Sequence, residues 1–358
     1  MLGWIDILPV GLLILVFWNA NVIKPFSKVD TDGYLSIDTT KCYRGLFAIV
    51  IIFHHLAQRT ETGILFPFFS RVGFLAVAVF FFLSGYGLQK SYLIKGEGYK
   101  RTFIQRRIPK ILVPYILATF IYWLAYYLTG TTYSFKDVII GLVNGYPVVR
   151  YSWYIISILC FYLFYWILMK LCKKNRLAMI ILGCVYYAIY SALCIKLDIS
   201  AYWFNASHLL IIGMIWATYE KTINQLVKRT YPYALVLVWV FFIVLFSIDS
   251  KMVLSAKHSF LVSTFLTIIE SLLFTIGVLL LSMKIRIGNS FLRVLGDMSL
   301  QIYLFHGLFI LFIKEIINVQ NELLWCVLVI AFTLILARFV HFLMTRLLGG
   351  KSQKIFHS

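Results

Sequence analysis

Apolar runs of membrane-spanning length recur along this chain, separated by short polar segments. A helix crosses the roughly 30 Å hydrocarbon core of a bilayer with about 20 residues. Runs of that kind lie at 2–23, 43–57, 72–88, 108–128, 152–171, 177–195, 205–219, 231–248, 259–283, 298–316 and 323–345. The pattern predicts an all-α, polytopic transmembrane bundle of about 11 spans. The run 205–219 is short and carries His208. The stretch 129–151, which contains Pro147, suits a short interfacial helix. No internal repeat is visible. Residues 1–358 read as one integral-membrane domain, with 1–24 as an extra N-terminal transmembrane helix. No basic stretch precedes that helix, as one would in a signal peptide.

Composition agrees. Hydrophobic residues make up 61% of the 358 positions and charged residues 13%, and the mean hydropathy is +0.89. A soluble globular chain does not look like this. A net charge of +19 invites a nucleic-acid reading. That reading fails, because the basic residues are spread over loops that alternate with spans. Cys42, Cys160, Cys172, Cys184, Cys194 and Cys326 show no paired spacing, so they read as small apolar residues and not as disulfides or metal ligands.

The basic residues orient the chain. With the N-terminus outside and the C-terminus in the cytoplasm, 24 of the 33 Lys and Arg fall on the inner side and eight on the outer side. Arg338 lies inside the last span.

Candidate chemistry starts in 41–56, KCYRGLFAIVIIFHHL. Arg44 and His55 are eleven residues apart, so they share one helical face about 16 Å apart along the axis. If Arg44 marks a membrane surface, His55 lies in the bilayer interior, where ionisable residues are rare and usually functional. His54 points about 100° away. In the run FFFLSGYGL, Ser84, Gly85 and Gly87 allow a helix or a ligand to approach closely. Arg106, Arg107 and Lys110 cluster at a helix start that Pro109 suits, which fits either a phosphate or anionic membrane lipid. Ser299, Tyr303 and His306 share another helical face and point into the bundle, either as a hydrogen-bond seam or as a site. Glu270 and Arg338 each lie deep in a span. They suit an ion pair, or Glu270 suits orienting a histidine.

Together, in this order, the motifs resemble the bacterial integral-membrane acyltransferase family three, which O-acylates cell-surface glycans. The resemblance rests on an arginine and a histidine separated by ten residues (Arg44, His55), and on the run Phe81, Phe82, Leu83, Ser84, Gly85, Tyr86. It rests also on Arg106, Arg107, Lys110, Ile111 and Pro114, on Ser152, Trp153, Tyr154, and on Ser299, Tyr303, His306. It covers roughly 38–346. Lys110 stands where the family usually has arginine, and the first span is additional to the family core.

The resemblance implies a membrane O-acyltransferase that uses acetyl-CoA, or another acyl-CoA, as donor co-substrate, with no metal. The acceptor is a hydroxyl of a surface or lipid-linked glycan. Arg44, Ser84, Gly85, Arg106, Arg107 and Lys110 are expected to hold the coenzyme, and Trp153, Ser299 and Tyr303 the acceptor. His55 and His306 are expected to be catalytic, with a neutral His55 taking the hydroxyl proton. The rival readings are a transporter of a polysaccharide intermediate, for which eleven spans with buried polar residues also suit, and a scaffold without chemistry. The Arg–His pair separates them, since a transporter has no evident need of it.

Overall fold

Ser36 closes the loop that precedes the Arg–His helix. Its hydroxyl accepts the N–H of Thr39, and the chain then runs helically as α2 (Ile37–Ala57). The computed structural model describes residues 3–23, 29–145, 147–173, 175–254, 259–317 and 319–353. Met1, Lys24, Lys28, Lys174, Lys257, Lys354 and Ser358, which enter the orientation argument, lie outside the described residues.

Before α2 come α1 (Ile7–Phe17) and β1 (Asn21–Val22). After it come α3 (Gly73–Arg107), α4 (Pro109–Leu128), α5 (Phe135–Val143), α6 (Trp153–Leu171), α7 (Arg176–Lys196), α8 (Leu209–Leu254) and α9 (Phe260–Ser282). β2 (Ile285–Arg286), α10 (Ser290–Asp297), α11 (Ser299–Ile317) and α12 (Glu322–Gln353) complete the chain. The sole sheet among the described residues is the antiparallel β1–β2 pair, two residues on each side. Apolar side chains such as Leu13, Ile14, Val236, Phe241 and Phe339 face outward. On a soluble surface so much exposed apolar area would drive aggregation, whereas in lipid it is the solvent-matched face. The chain is a helical membrane bundle.

Among the described residues, six helical stretches are long and apolar enough to cross a membrane. A seventh is reached if α10 and α11, bent by 78°, count as one. Eleven expected runs become fewer candidate spans because neighbouring runs join and others fall short. The runs 72–88 and 108–128 belong to one helical stretch of 56 residues, Gly73–Leu128. The segment 89–107, expected as a loop, is the polar half of α3, with a break at Gly96 (φ 56°). α8, 46 residues long, absorbs most of 205–219 and all of 231–248 and bends at Tyr219. The run 2–23 is a 3-10 turn at Trp4–Asp6 followed by the 11-residue α1, and α1 by itself rises about 17 Å. The short helix expected before Pro147 is α5, started by a reciprocal cap between Ser134 and Asp137.

Two glycine crossings set the inner packing. A Cβ on Gly85 would lie 1.8 Å from the Leu210 carbonyl oxygen, and one on Gly213 would lie 2.2 Å from that of Phe82, so α3 and α8 touch backbone to backbone. A Cβ on Gly45 would lie 2.1 Å from the Leu292 carbonyl oxygen, and one on Gly296 would lie 1.9 Å from that of Lys41. α10 is thereby seated on α2 beside Arg44, and Lys41 pairs with Asp297 at 2.8 Å. α11 runs through the interior, with Leu304, Phe305 and His306 wholly buried.

The N-terminal turn ties down the loop that follows α2. The carboxylate of buried Asp6 accepts four backbone N–H groups: Gly3 at 3.0 Å, Ile64 at 2.9 Å, Leu65 at 2.9 Å and Phe66 at 3.0 Å. Burial works against this charge, but the four donors outweigh it and hold the carboxyl below its usual value. A carboxyl lowered in the folded state adds stability that is complete above the ordinary carboxylate range and is lost as pH falls through its folded value. Acidification through that range should therefore speed hydrogen exchange at the Ile64, Leu65 and Phe66 amides before it affects α11. Unchanged relative protection would show that Asp6 does not hold this loop.

Candidate active site

Two cavities enter the bundle, one beside Arg44 and one beside His55, and Tyr303 of α11 is the residue that lines both. The Arg44 cavity, about 690 Å³, is bounded by α2, α3, α6 and α11. Arg44, Lys90, Lys95 and Arg107 contribute cations to its wall, and no carboxylate lines it among the described residues. Lys90 is engaged by Glu220 of α8, which also accepts the Tyr86 hydroxyl at 2.8 Å. No carboxylate among the described residues pairs with Arg44 or Arg107. Ser84 and Ser299 are on this wall, together with the apolar Leu83, Ile155 and Ile158. A passage rimmed by cations and lined by aliphatic side chains suits an anionic head with an extended, weakly polar tail.

The His55 cavity, about 910 Å³, is more aromatic, with Trp153, Tyr126, Tyr133, Tyr151 and Tyr202 around it. Arg71 and Asp249 pair in its wall at 2.7 Å, and Asp249 also accepts the Ser263 hydroxyl at 3.3 Å. Arg150 lines it as well. Aromatic faces with interspersed polar groups are suited to a polyhydroxylated ligand.

The histidines converge at the head of this cavity. The ring centroids of His54 and His55 are 4.6 Å apart, and those of His55 and His306 are 5.2 Å apart. Tyr151 lies flat on His55 at 3.7 Å. Its backbone has φ 64°, a left-handed conformation that costs a non-glycine residue on the order of 1 kcal/mol. Its carbonyl accepts the Tyr303 hydroxyl, which ties α11 to this loop. The 100° turn between His54 and His55 does not separate their rings, and both line the cavity.

Hydrogen-bond partners assign the tautomers. The Phe69 carbonyl can only accept, so His54 Nδ1, at 3.0 Å, carries the proton. The Gln58 amide donates to the Ser70 carbonyl at 3.3 Å and lies 3.2 Å from His54 Nε2, which fixes which end of the amide is nitrogen. Gln58 Oε1 then faces His55 Nδ1 at 3.3 Å and accepts from it. His55 Nε2 is left as a bare lone pair, the state a general base requires. His306 Nδ1 donates to the Tyr303 carbonyl at 2.7 Å. Its Nε2 has no hydrogen-bond partner among the described residues. His306 is wholly buried and lines neither cavity, so it supports His55 from behind.

The other residues singled out from the sequence divide by position. Arg44, Ser84 and Arg107 line the Arg44 cavity, and Ser299, expected at the acceptor, lines it too. Trp153 lines the His55 cavity, and Tyr303 lies between the two. Gly85 meets α8, while Arg106 and exposed Lys110 line neither cavity. Glu270 and Arg338 do not pair: Glu270 is wholly buried with both carboxylate oxygens unpartnered among the described residues. Arg338 lies on the outside of α12 beside Leu334 and Phe342. Nor does Glu270 orient a histidine, since Gln58 and the Tyr303 carbonyl occupy those positions.

Gln58, Tyr151 and Arg71 were missed. Gln58 had a legible signal, standing three and four residues after the histidines on one helix. Tyr151 and Arg71 had none, since their partners are 96 or more residues away in the chain or belong to other elements. Among the described residues no group of three or more His, Cys, Asp or Glu is arranged to hold a metal ion.

A family model described as an acyltransferase domain, acyltransferase family three, matches residues 37–341. No curated protein and no solved structure matches the chain. The match begins at the first residue of α2, runs into α12 and takes in both cavities and the histidine cluster; the chain belongs to acyltransferase family three and is a membrane-embedded acyltransferase.

Proposed function

We propose that this acyltransferase moves an acyl group, most simply acetyl, from cytoplasmic acyl-CoA to a hydroxyl of a surface or lipid-linked glycan on the outer side of the plasma membrane. The observation that supports this reading is a pair of cavities that share Tyr303, one lined by four cations and no carboxylate among the described residues, the other by His54 and His55. In this reading the N-terminus is outside and the C-terminus is cytoplasmic. Arg44, Arg107 and Lys95 hold the coenzyme phosphates through charge-assisted hydrogen bonds, and the aliphatic wall takes the pantetheine arm. The acceptor sugar stacks in the aromatic cavity. His55 Nε2 takes the proton of the attacking hydroxyl, a C–O bond forms at the thioester carbonyl, the C–S bond breaks, and the proton passes to the departing sulfur. No net proton is gained or lost.

Purified protein in lipid nanodiscs, given labelled acetyl-CoA and a glycan acceptor, should place label on the glycan with one free thiol released per ester formed. Movement of glycan without label transfer would favour the exporter reading and overturn this one.

Arg107→Ala should raise the KM for acyl-CoA by about tenfold or more, as loss of a charge-assisted hydrogen bond of ~1.5–3 kcal/mol requires. Arg106→Ala, outside the cavity, should raise it much less. Equal effects would show that the cluster acts through general surface charge.

A further inference from the structure

The family match starts at residue 37, yet the segment before it is linked to His55 through hydrogen bonds at both ends of one short turn. Asp6 grips the backbone of Ile64, Leu65 and Phe66. Those residues lead into the 3-10 turn Phe66–Arg71, whose Phe53-facing rings Phe66 and Phe69 lie 5.4 Å and 5.2 Å from that side chain of α2. The last residues of the turn present two carbonyls to the cavity. The Phe69 carbonyl accepts from His54 Nδ1–H, and the Ser70 carbonyl accepts from the Gln58 amide N–H. Gln58 Oε1 in turn accepts from His55 Nδ1–H and leaves Nε2 bare. A second clamp acts just upstream, where Glu322 accepts the N–H groups of Glu61 at 2.9 Å and Thr62 at 3.2 Å.

We propose that Gln58 is the positioning residue for His55, and that the N-terminal segment, through Asp6 and the 64–71 turn, holds Gln58 in register. This inference rests on the reading of His55 as general base. The physical logic is that of any acceptor behind a catalytic imidazole: it selects one tautomer and one ring rotation, so the lone pair faces the reacting hydroxyl. A side-chain amide does this without bringing a charge to the site. Its own orientation is fixed because the Ser70 carbonyl rejects the amide oxygen. A free amide would rotate and present a donor to Nδ1, which would move the proton to Nε2 and remove the base. The Asp6 grip keeps the two carbonyls at a fixed height on α2. Without it the start of the turn would be held by Phe66 and Phe69 packing, with Glu322 upstream and the Arg71–Asp249 pair at its far end.

Three variants and two readouts test this in the full chain reconstituted in nanodiscs. Gln58→Leu should lower kcat about 10²-fold, the cost typical of a small misplacement of a catalytic group, with the KM for acyl-CoA unchanged because the donor cavity is remote. Gln58→Glu keeps an acceptor toward Nδ1 and should recover at least tenfold over Gln58→Leu. Asp6→Asn should lower kcat about tenfold, again without a change in KM. Nitrogen NMR of histidine-labelled protein reads the tautomer without any transfer reaction: His55 should carry its proton on Nδ1 in the parent and lose that preference in Gln58→Leu. The NMR arm stands if the parent transfers no acyl group, so failure of the positioning role and failure of the acyltransfer reading are distinguishable. A parent-like kcat and tautomer in Gln58→Leu would overturn the proposal, and so would loss of the Nδ1–H state in none of the variants. Parent-like values in Asp6→Asn alone would confine the positioning to Gln58 and overturn the part given to the N-terminal segment. If Gln58→Leu does not fold, Gln58→Ala, which also lacks the acceptor, carries the same comparison.

Discussion

His55→Ala is expected to abolish nearly all acyl transfer, a loss of about 10² to 10⁴ in rate, which is what a general base contributes. Expression and acyl-CoA affinity should be largely retained, because the cavity proposed for the donor is lined by Arg44, at the other end of α2, and by Arg107 of α3, and not by His55. His54→Ala should cost less. Its ring is committed on both nitrogens, to Phe69 and to Gln58, and offers no lone pair to a substrate. His306→Ala should fall between the two: it touches no cavity but backs the His55 ring and leaves a void in the middle of the bundle. The measurement is single-turnover transfer from labelled acetyl-CoA by each variant, beside donor binding. Substantial activity in His55→Ala, with loss in His54→Ala, would transfer the role of base to the other histidine. Activity in all three would remove the histidine mechanism.

Gly85→Ala is expected to give the largest stability loss of any single-methyl change along α3. The added carbon would have to lie 1.8 Å from a backbone carbonyl of α8, and neither helix can yield as a side chain would. Overpacking of a tight core typically costs about 1–3 kcal/mol, and a backbone obstacle belongs at the upper end. Gly87→Ala is the matched control, since nothing lies within 4 Å of its added Cβ, and removing a mid-helix glycine gains up to about 1 kcal/mol. Thermal unfolding in detergent should therefore show Gly85→Ala well below the parent and Gly87→Ala level with it or above. Equal midpoints would mean that α3 and α8 are not in backbone contact. The contrast bears on the site as well, because α3 carries Ser84 and Lys90 to the Arg44 cavity and α8 carries Glu220, which pairs with Lys90.

The hydrophobic pattern, the composition and the Arg44–His55 spacing were enough to determine a helical membrane protein and to single out one helix as its chemical axis. These are properties of local periodicity. A helix rotates about 100° per residue whatever surrounds it, so the shared face of Arg44 and His55 is a matter of arithmetic. The linear order of motifs likewise sufficed for the family. The number of spans was not settled in this way: hydropathy marks apolar length but not where one helix ends, and α3 and α8 run on through polar turns that read as loops.

Tertiary structure decided which of the neighbouring residues face a cavity. Arg107 lines it and Arg106 does not; Ser84 lines it, while Gly85 serves the crossing with α8. Such a choice depends on where the other helices stand, and no local rule carries that information. It also decided the state of His55. The proton on Nδ1 is assigned by Gln58, and Gln58 is oriented by the Ser70 carbonyl. Ser70 belongs to a turn whose start is held by Asp6, nearly 60 residues earlier in the chain. The sequence by itself determined the fold class, the family and the helix on which Arg44 and His55 share a face. Only the tertiary structure decided which lone pair His55 presents, because a tautomer is set by the partner of the other ring nitrogen, and that partner is oriented through contacts between distant segments.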